Sequence, residues 1–327
     1  MFKFLTRTNR PSRPSETIGV TPPSTDARAL LARVAWASAK RLDGLLQGNY
    51  QTLFRGTGLT LADIRQYAPG DDVRYIDWNV TARMQAPHVR EHEEDRELAA
   101  WFLIDLSASV DFGSGHISKR EVAGQAVATL GRLLQQHGNR LGAILHRGHA
   151  QFDVLPARNS RRHLLHMLQQ IFIPSTQPTS QLTDLSELLM RANRIIKRRS
   201  AIFILSDFYA SPGWDKALRM LARRHDVVAI RLTDPFEQSL PEVGMLTMRD
   251  AETGEQVFVD TGDPRFLQRF NDQTHEHERA LMETFTGAGV DCLELSTEEA
   301  VQDGLIRFIH ERQRMMRQAS PRAHHHG

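Results

Sequence analysis

The chain has 327 residues, 40% of them hydrophobic and 24% charged, with a formal charge of +2 and one cysteine. Such a composition belongs to a folded globular protein of one large domain with an added module, or of two domains, and excludes disulfide-framework and charge-driven disordered classes. No stretch approaches the ~20 consecutive apolar residues of a membrane span, and the short apolar start Met1-Phe2-Lys3-Phe4-Leu5 lacks the core of a secretory signal, so a soluble, cytoplasmic protein is expected.

The charge is unevenly spread. Residues 1–14 carry Lys3, Arg7, Arg10 and Arg13 with no acid, and residues 311–327 carry four Arg and one Glu, which leaves about −5 for the body between them. The basic pI of 8.9 owes much to the two ends and does not signal a nucleic-acid groove. The run His324-His325-His326 resembles a tag remnant and is set aside.

In chain order, residues 1–25 are rich in Pro, Ser, Thr and Arg without apolar periodicity and read as a disordered leader. From Asp26 the positions Leu30, Leu31, Val34, Leu42, Leu45 and Leu46 recur at helical spacing until Gly48, which predicts an amphipathic helix. Tyr50 to Glu97 is turn-rich and strand-like, with the Ala68-Pro69-Gly70-Asp71-Asp72 turn and the alternating run from Val73 to Trp78. Residues 26–98 therefore read as a helix-plus-strand module.

After Leu98 the texture changes to apolar strands alternating with amphipathic helices, the pattern of a parallel sheet covered on both faces. Strands are predicted at Ala99–Ile104, Leu141–His146, Ala201–Leu205, Val227–Leu232 and Val290–Leu295, with Gln151–Leu155 as an antiparallel edge. Helices are predicted near 119–136, 160–171, 184–196, 214–224, 265–286 and 298–314. The fold class is α/β, a doubly wound Rossmann-like sheet over 99–314 followed by a disordered tail at 315–327. Met245–Arg249 and Gln256–Asp260 flank Glu252-Thr253-Gly254-Glu255 and predict a β-hairpin insert.

In such sheets ligands bind at the carboxyl ends of the strands. The first core strand delivers Asp105, Ser107 and Ser109 to that edge, a carboxylate and two hydroxyls at a spacing that suits a hard cation such as Mg2+. The strand Ala201–Leu205 delivers Asp207 to the same edge, and Thr183, ahead of the helix opened by Asp184, offers a hydroxyl from a neighbouring loop. Asp and Ser also serve as caps and turn formers, so it is the three segments together that carry the metal site.

These residues resemble the von Willebrand factor A domain and its metal-ion-dependent adhesion site: Asp105, Ser107 and Ser109 match its first motif, Thr183 its threonine loop, Asp207 its third motif. The resemblance implies a protein-binding site holding Mg2+, with Mn2+ or Ca2+ as substitutes, whose last coordination position is filled by an acidic side chain of a partner. It implies no catalysis. The loop Ser180-Gln181-Leu182-Thr183 lacks the glycines frequent before that threonine.

The stretch from Gly58 to Arg83, containing Tyr67-Ala68-Pro69-Gly70-Asp71-Asp72 and Asp77-Trp78-Asn79, is similar to the signature of domain-of-unknown-function family 58. That resemblance spans roughly residues 26–310 and implies a strand-rich module before a von Willebrand A core, with a MoxR-type AAA+ ATPase as partner in maturing or assembling protein complexes. Arg74, Asp77, Trp78 and Arg83 then have two readings. Trp78 packs the module onto the sheet while Arg74 pairs with Asp77 or Asp72, or the set forms a docking face for the ATPase.

Two other chemistries have sequence footholds. His88, Glu91 and His92 fit an H-x-x-E-H zinc-hydrolase pattern, which functions only on a helix, whereas Pro87 and the flanking residues read as a strand. Gly113-Ser114-Gly115 follows the first core strand as a dinucleotide loop does, but Ser118 stands where the third glycine is required. Cys292 alternates with core positions and reads as a small buried hydrophobe. His275 and His277, two residues apart on a predicted helix, point to different faces.

Overall fold

The computed structural model describes residues 64–68, 73, 76, 78–84, 86–90, 99–115, 117–148, 151–173, 183–249 and 256–319. The expected leader and first helix, together with Arg74, Asp77, Glu91 and His92, lie outside the described residues.

Ahead of the main sheet, β1 (Ile64–Gln66) and β2 (His88–Arg90) pair antiparallel, with α1 (Trp78–Met84) between them in the chain. The alternating run was expected to extend a strand through Trp78, but Trp78 opens a helix. Thr81 helps place the strand that follows, accepting from the His88 amide at 3.0 Å.

The main sheet is built from β3 (Ala99–Asp105), β4 (Arg140–His146), β5 (Phe152–Arg158), β6 (Ala201–Ser206), β7 (Asp226–Thr233) and, after the hairpin β8 (Met245–Arg249) and β9 (Gln256–Asp260), β10 (Asp291–Ser296). Its order is β10-β7-β6-β3-β4-β5, parallel except for β5, which runs antiparallel at the edge. This is the doubly wound, von Willebrand A-like arrangement expected, with the winding reversing between β3 and β6.

Period-two alternation divides each strand between two cores. Ala100, Phe102 and Ile104 of β3 join Phe203 and Leu205 of β6 and Val228 and Ile230 of β7 on one face. Trp101 and Leu103 join Ile202, Ile204, Val227 and Ala229 on the other. Because both faces are covered, the strands read as unbroken apolar runs. The first core is closed by α2 (Lys119–Gln136), α3 (Arg161–Ile171) and α8 (Val301–Ala319), through residues such as Val122, Leu164 and Leu305. The second is closed by α4 (Leu185–Ile195), α5 (Trp214–Ala222) and α7 (Pro264–Ala288), through Leu188, Leu218 and Phe285. Fully burying an aliphatic side chain of this size contributes about 1.5–3 kcal/mol, so the two layers dominate the stability.

The hairpin lies where expected. Its Val259 packs with Phe112 and Leu240 in a third, smaller cluster bordered by Phe236 and Phe266, with Phe236 on the single turn α6 (Pro235–Gln238). The insert is thereby anchored to Phe112, which follows the Asp105 motif directly.

Candidate metal-binding edge

Strands β3 and β6 end side by side at the point where the winding reverses, the position at which such sheets form ligand crevices. Asp105 closes β3, and Asp207 follows the last residue of β6. Both are 1% exposed, and Ser107 and Ser109 are buried with them. After Asp105 the chain turns through Ser107 into a short 3-10 turn, Ala108–Asp111.

The local hydrogen bonds fix the oxygens. Asp105 Oδ1 accepts from the Ser107 amide at 3.0 Å, and Asp105 Oδ2 accepts from the Ser206 hydroxyl at 2.9 Å. The Ser107 and Ser109 hydroxyls are 3.1 Å apart. On the β6 side, Asp207 Oδ1 accepts from the Tyr209 amide at 3.1 Å, and the Ser206 hydroxyl accepts from the Phe208 amide at 2.9 Å. Phe208 pays a conformational cost for this turn: its φ is 60°, in the left-handed region that non-glycine residues seldom occupy. Packing offsets that cost, since the Phe208 ring is 2% exposed and lies against Trp214 and Phe285.

Thr183 is 4% exposed, and its carbonyl accepts from the Ser211 amide at 3.0 Å, tying the loop before α4 to the loop after β6. The helix is capped by Asp184, whose side chain accepts from the Glu187 amide, so Thr183 is not the cap. The chain thus brings Asp105, Ser107, Ser109 and Asp207 onto two adjacent strand ends and ties the Thr183 loop to the second. The sequence reading had assigned these five to this edge.

It missed their neighbours. Lys119, 0% exposed, places Nζ 2.9 Å from Asp207 Oδ2 and 2.5 Å from Glu237 Oε1, with Glu237 itself 3% exposed on α6. The Ser118–Glu121 capping box starts α2 at this point, and the Lys119 amide donates to the Phe112 carbonyl at 2.9 Å. Ser118 followed by Glu121 was a legible helix-start signal. Nothing local marked Lys119 as internal.

Asp234, also fully buried, accepts from the Ser114 amide at 2.8 Å and the Thr297 hydroxyl at 2.7 Å. This assigns the Gly113-Ser114-Gly115 loop to structure. A Cβ on Gly113 would lie 2.3 Å from the Ile117 carbonyl oxygen, so the glycine is needed for close approach of backbone to backbone. Arg120 ties the preceding 3-10 turn, through Asp111, to the end of α3, through the Ile171 carbonyl at 2.8 Å.

The electrostatics are those of an anionic edge. Burial pushes the Asp105 carboxyl above its ordinary range, and the Asp207 charge pushes it further, while His146 pulls the other way. Burial likewise raises Glu237 to about 7 against the pull of Lys119, with Asp207 adding to the rise. For Lys119 burial works against the charge, but Asp207 and Glu237 outweigh it and hold the ammonium protonated. One lysine is shared by two carboxylates, and Asp105 has none in the contacts just given. Hard oxygen donors with excess negative charge fit a divalent cation.

Other candidates are not brought here. Trp78 is 70% exposed on α1, which goes against the first of its two readings, packing onto the sheet; Arg83 lies on the same helix, and Arg74 and Asp77 are outside the described residues. His88 sits on strand β2 with Nδ1 2.7 Å from the Ala86 carbonyl oxygen, so the helix required by the zinc-hydrolase pattern is absent at His88. Among the described residues no group of three or more His, Cys, Asp or Glu is arranged to hold a metal, and Glu91 and His92 fall outside them. His277 stacks on Tyr209 at 4.3 Å. Cys292 packs beside the second core, and burial, then Glu294, pushes its thiol up to about 12, which keeps it protonated and unreactive.

A doubly wound sheet with Asp-x-Ser-x-Ser at the reversal of its winding places this protein among von Willebrand A-like α/β domains. The chain belongs to the DUF58 family of proteins of unknown function, whose family model matches residues 63–280. It is 38% identical over 275 residues to the uncharacterized protein Rv1480 of Mycobacterium tuberculosis, covering 84% of this chain and 86% of that one. It is 30% identical over 160 residues to the uncharacterized protein MAV169 of Mycobacterium avium, covering 49% and 94%. Among solved structures, it is similar to the conserved hypothetical protein BatB of Bacteroides thetaiotaomicron, with a TM-score of 0.44, 15% identity and coverage of 66% and 99%. The SpRpn10 VWA domain gives 0.37, 13%, and coverage of 64% and 93%. No described helix is long and apolar enough to cross a membrane.

Proposed function

We propose that the edge is a metal-dependent protein-interaction site that binds and does not catalyse. Mg2+, or Mn2+ or Ca2+ in its place, would be held by Asp105, Ser107, Ser109, Thr183 and Asp207, and an acidic side chain of the partner would complete its coordination. The observation that carries this is the pair Asp105 and Asp207: two buried carboxylates, the charge of Asp207 opposing the ionisation of Asp105, set among hydroxyls. At an effective dielectric of about 20, two unit charges about 4 Å apart interact by about 4 kcal/mol, and a divalent ion doubles that for each carboxylate, gross of its own dehydration. Neutral hydroxyls then leave the ion electron-poor enough to attract one more anion.

The partner we favour is a MoxR-type AAA+ ATPase or the client it remodels, with this protein as adaptor in the maturation or assembly of protein complexes. Support for that partner is the family signature around residues 58–83. The exposed Trp78 fits a docking role for α1, together with Arg74, Asp77 and Arg83.

The experiment is capture of the purified ATPase by this chain with and without EDTA, using wild type and Asp105→Ala. Capture should need the divalent ion and fail for the variant. Capture indifferent to both would refute the metal mechanism while leaving the fold intact.

A further inference from the structure

Lys119 is in an unfavourable place for a lysine. It is the first residue of α2, where the helix dipole disfavours a cation, and it is 0% exposed, where an ammonium is costly unless paired. The carboxylates around Nζ offset this, Asp207 Oδ2 at 2.9 Å and Glu237 Oε1 at 2.5 Å. One oxygen of Asp207 is held by the Tyr209 amide and the other by Lys119. The second edge carboxylate, Asp105, is held by neutral donors, the Ser107 amide and the Ser206 hydroxyl. The edge is thus asymmetric: on the β6 side a lysine ammonium bonds Asp207 directly, and on the β3 side Asp105 is bonded by an amide and a hydroxyl, with His146 acting on it through space.

We infer that Lys119 is the resident counter-cation of the edge and sets its affinity for a divalent ion, by occupying Asp207 Oδ2 and offsetting one of the three negative charges that Asp105, Asp207 and Glu237 carry when an ion holds them ionised. This deepens the metal-adhesion reading and rests on it. Affinity of an oxygen site for hard cations is tuned by the number of charged ligands. With Lys119 in place the ion is held by fewer net charges, stays electron-poor, and keeps its pull on an incoming carboxylate. Without Lys119 the same oxygens would hold the ion tightly and weaken that pull. Lys119 acts through Asp207 and is a positioning residue. Glu237 is its second anchor and links the edge to α6, from which the chain continues into the hairpin.

The test is calorimetric titration of the full chain with Mn2+, comparing wild type, Lys119→Met, Glu237→Gln and the double variant. Lys119→Met should bind Mn2+ at least about tenfold tighter, and Glu237→Gln should bind it at least about threefold more weakly, as the charge count requires. The double variant restores the charge sum and should return to within about threefold of wild type, a rescue that a purely structural lysine would not show. A folded Lys119→Met that binds no tighter than wild type overturns the inference. Should Lys119→Met fail to fold even with Mn2+ present, Glu237→Gln decides: weaker binding supports the role, unchanged binding overturns it. If wild type binds no Mn2+ and Lys119→Met does, the role of Lys119 stands and the adhesion reading falls. Binding by none of the four overturns both.

Discussion

The Ser206 hydroxyl donates to Asp105 Oδ2 at 2.9 Å, bridging the ends of β6 and β3 across the line where the sheet reverses its winding. The same hydroxyl accepts from the Phe208 amide, so one buried side chain fixes both a candidate ligand of the metal and the left-handed turn that presents Asp207. Asp105 is therefore placed by the fold, and its ionisation is opposed by its surroundings.

Neutralising Asp105 should have opposite effects with and without metal. In EDTA, Asp105→Asn relieves the repulsion from Asp207 and should melt at or above the wild-type temperature. With excess Mg2+ the wild type should gain RT ln(1 + [L]/Kd), about 2.7 kcal/mol at a hundred times Kd, and the variant should gain none. A thermal scan in the two buffers checks this. A variant that melts well below wild type in EDTA would make Asp105 a structural residue.

Thr183→Val removes one hydroxyl at nearly constant volume and leaves the Thr183 carbonyl to accept from Ser211. Mg2+ affinity should fall about tenfold, the equivalent of about 1.4 kcal/mol. Titration with Mg2+ measures the affinity, and far-UV circular dichroism should be unchanged. Undiminished affinity would remove Thr183 from the ligand set.

Acid sensitivity should come partly from the far end of the sheet. His225 is 4% exposed with both ring nitrogens buried and unpartnered, and burial, then Arg224 and Arg199, depresses its pKa from 6.5 to about 4. Between those values the unfolded chain binds the proton and the folded chain does not. Its contribution is therefore complete above pH 6.5, is lost as the pH falls towards 4, and is constant below that. From pH 7 to pH 5 the loss is on the order of 2 kcal/mol. His225→Phe should flatten that part of the urea-denaturation profile. A smaller slope of the same sign should remain from His163, whose pKa burial also lowers.

The close pair in the second core should be sensitive to volume. A Cβ on Gly142 would lie 2.6 Å from the Trp101 ring, so the indole occupies the place of a side chain. Gly142→Ala should cost about 1–3 kcal/mol by overpacking. Adding Trp101→Leu should recover part of it, with a coupling of about 1 kcal/mol or more in a denaturation cycle. Additive effects would show that β4 shifts freely to make room.

Much of the fold was legible because its signals are short-range. The apolar runs at Ala99–Asp105 and Ala201–Ser206, the helix at Lys119–Gln136 and the hairpin strands Met245–Arg249 and Gln256–Asp260 each follow from periodicity and turn residues within a few positions. Trp78 misled. An alternating run of six residues fits a strand locally, but its last residue, Trp78, opens a helix and leaves the indole exposed.

By itself, then, the sequence determined that a doubly wound sheet would carry Asp105, Ser107, Ser109 and Asp207 to one edge, since strand period and strand ends are properties of neighbouring residues. Tertiary structure alone decided what stands beside them. Ser206 meets Asp105 from 101 residues away, and Lys119 meets Asp207 from 88 and Glu237 from 118. Those meetings depend on which strands become neighbours, which the packing of helices on both faces settles. A lysine at a helix start is charged and solvated in any local account. Only the burial of α2 against β3 and β7 turns it into the internal cation of a site.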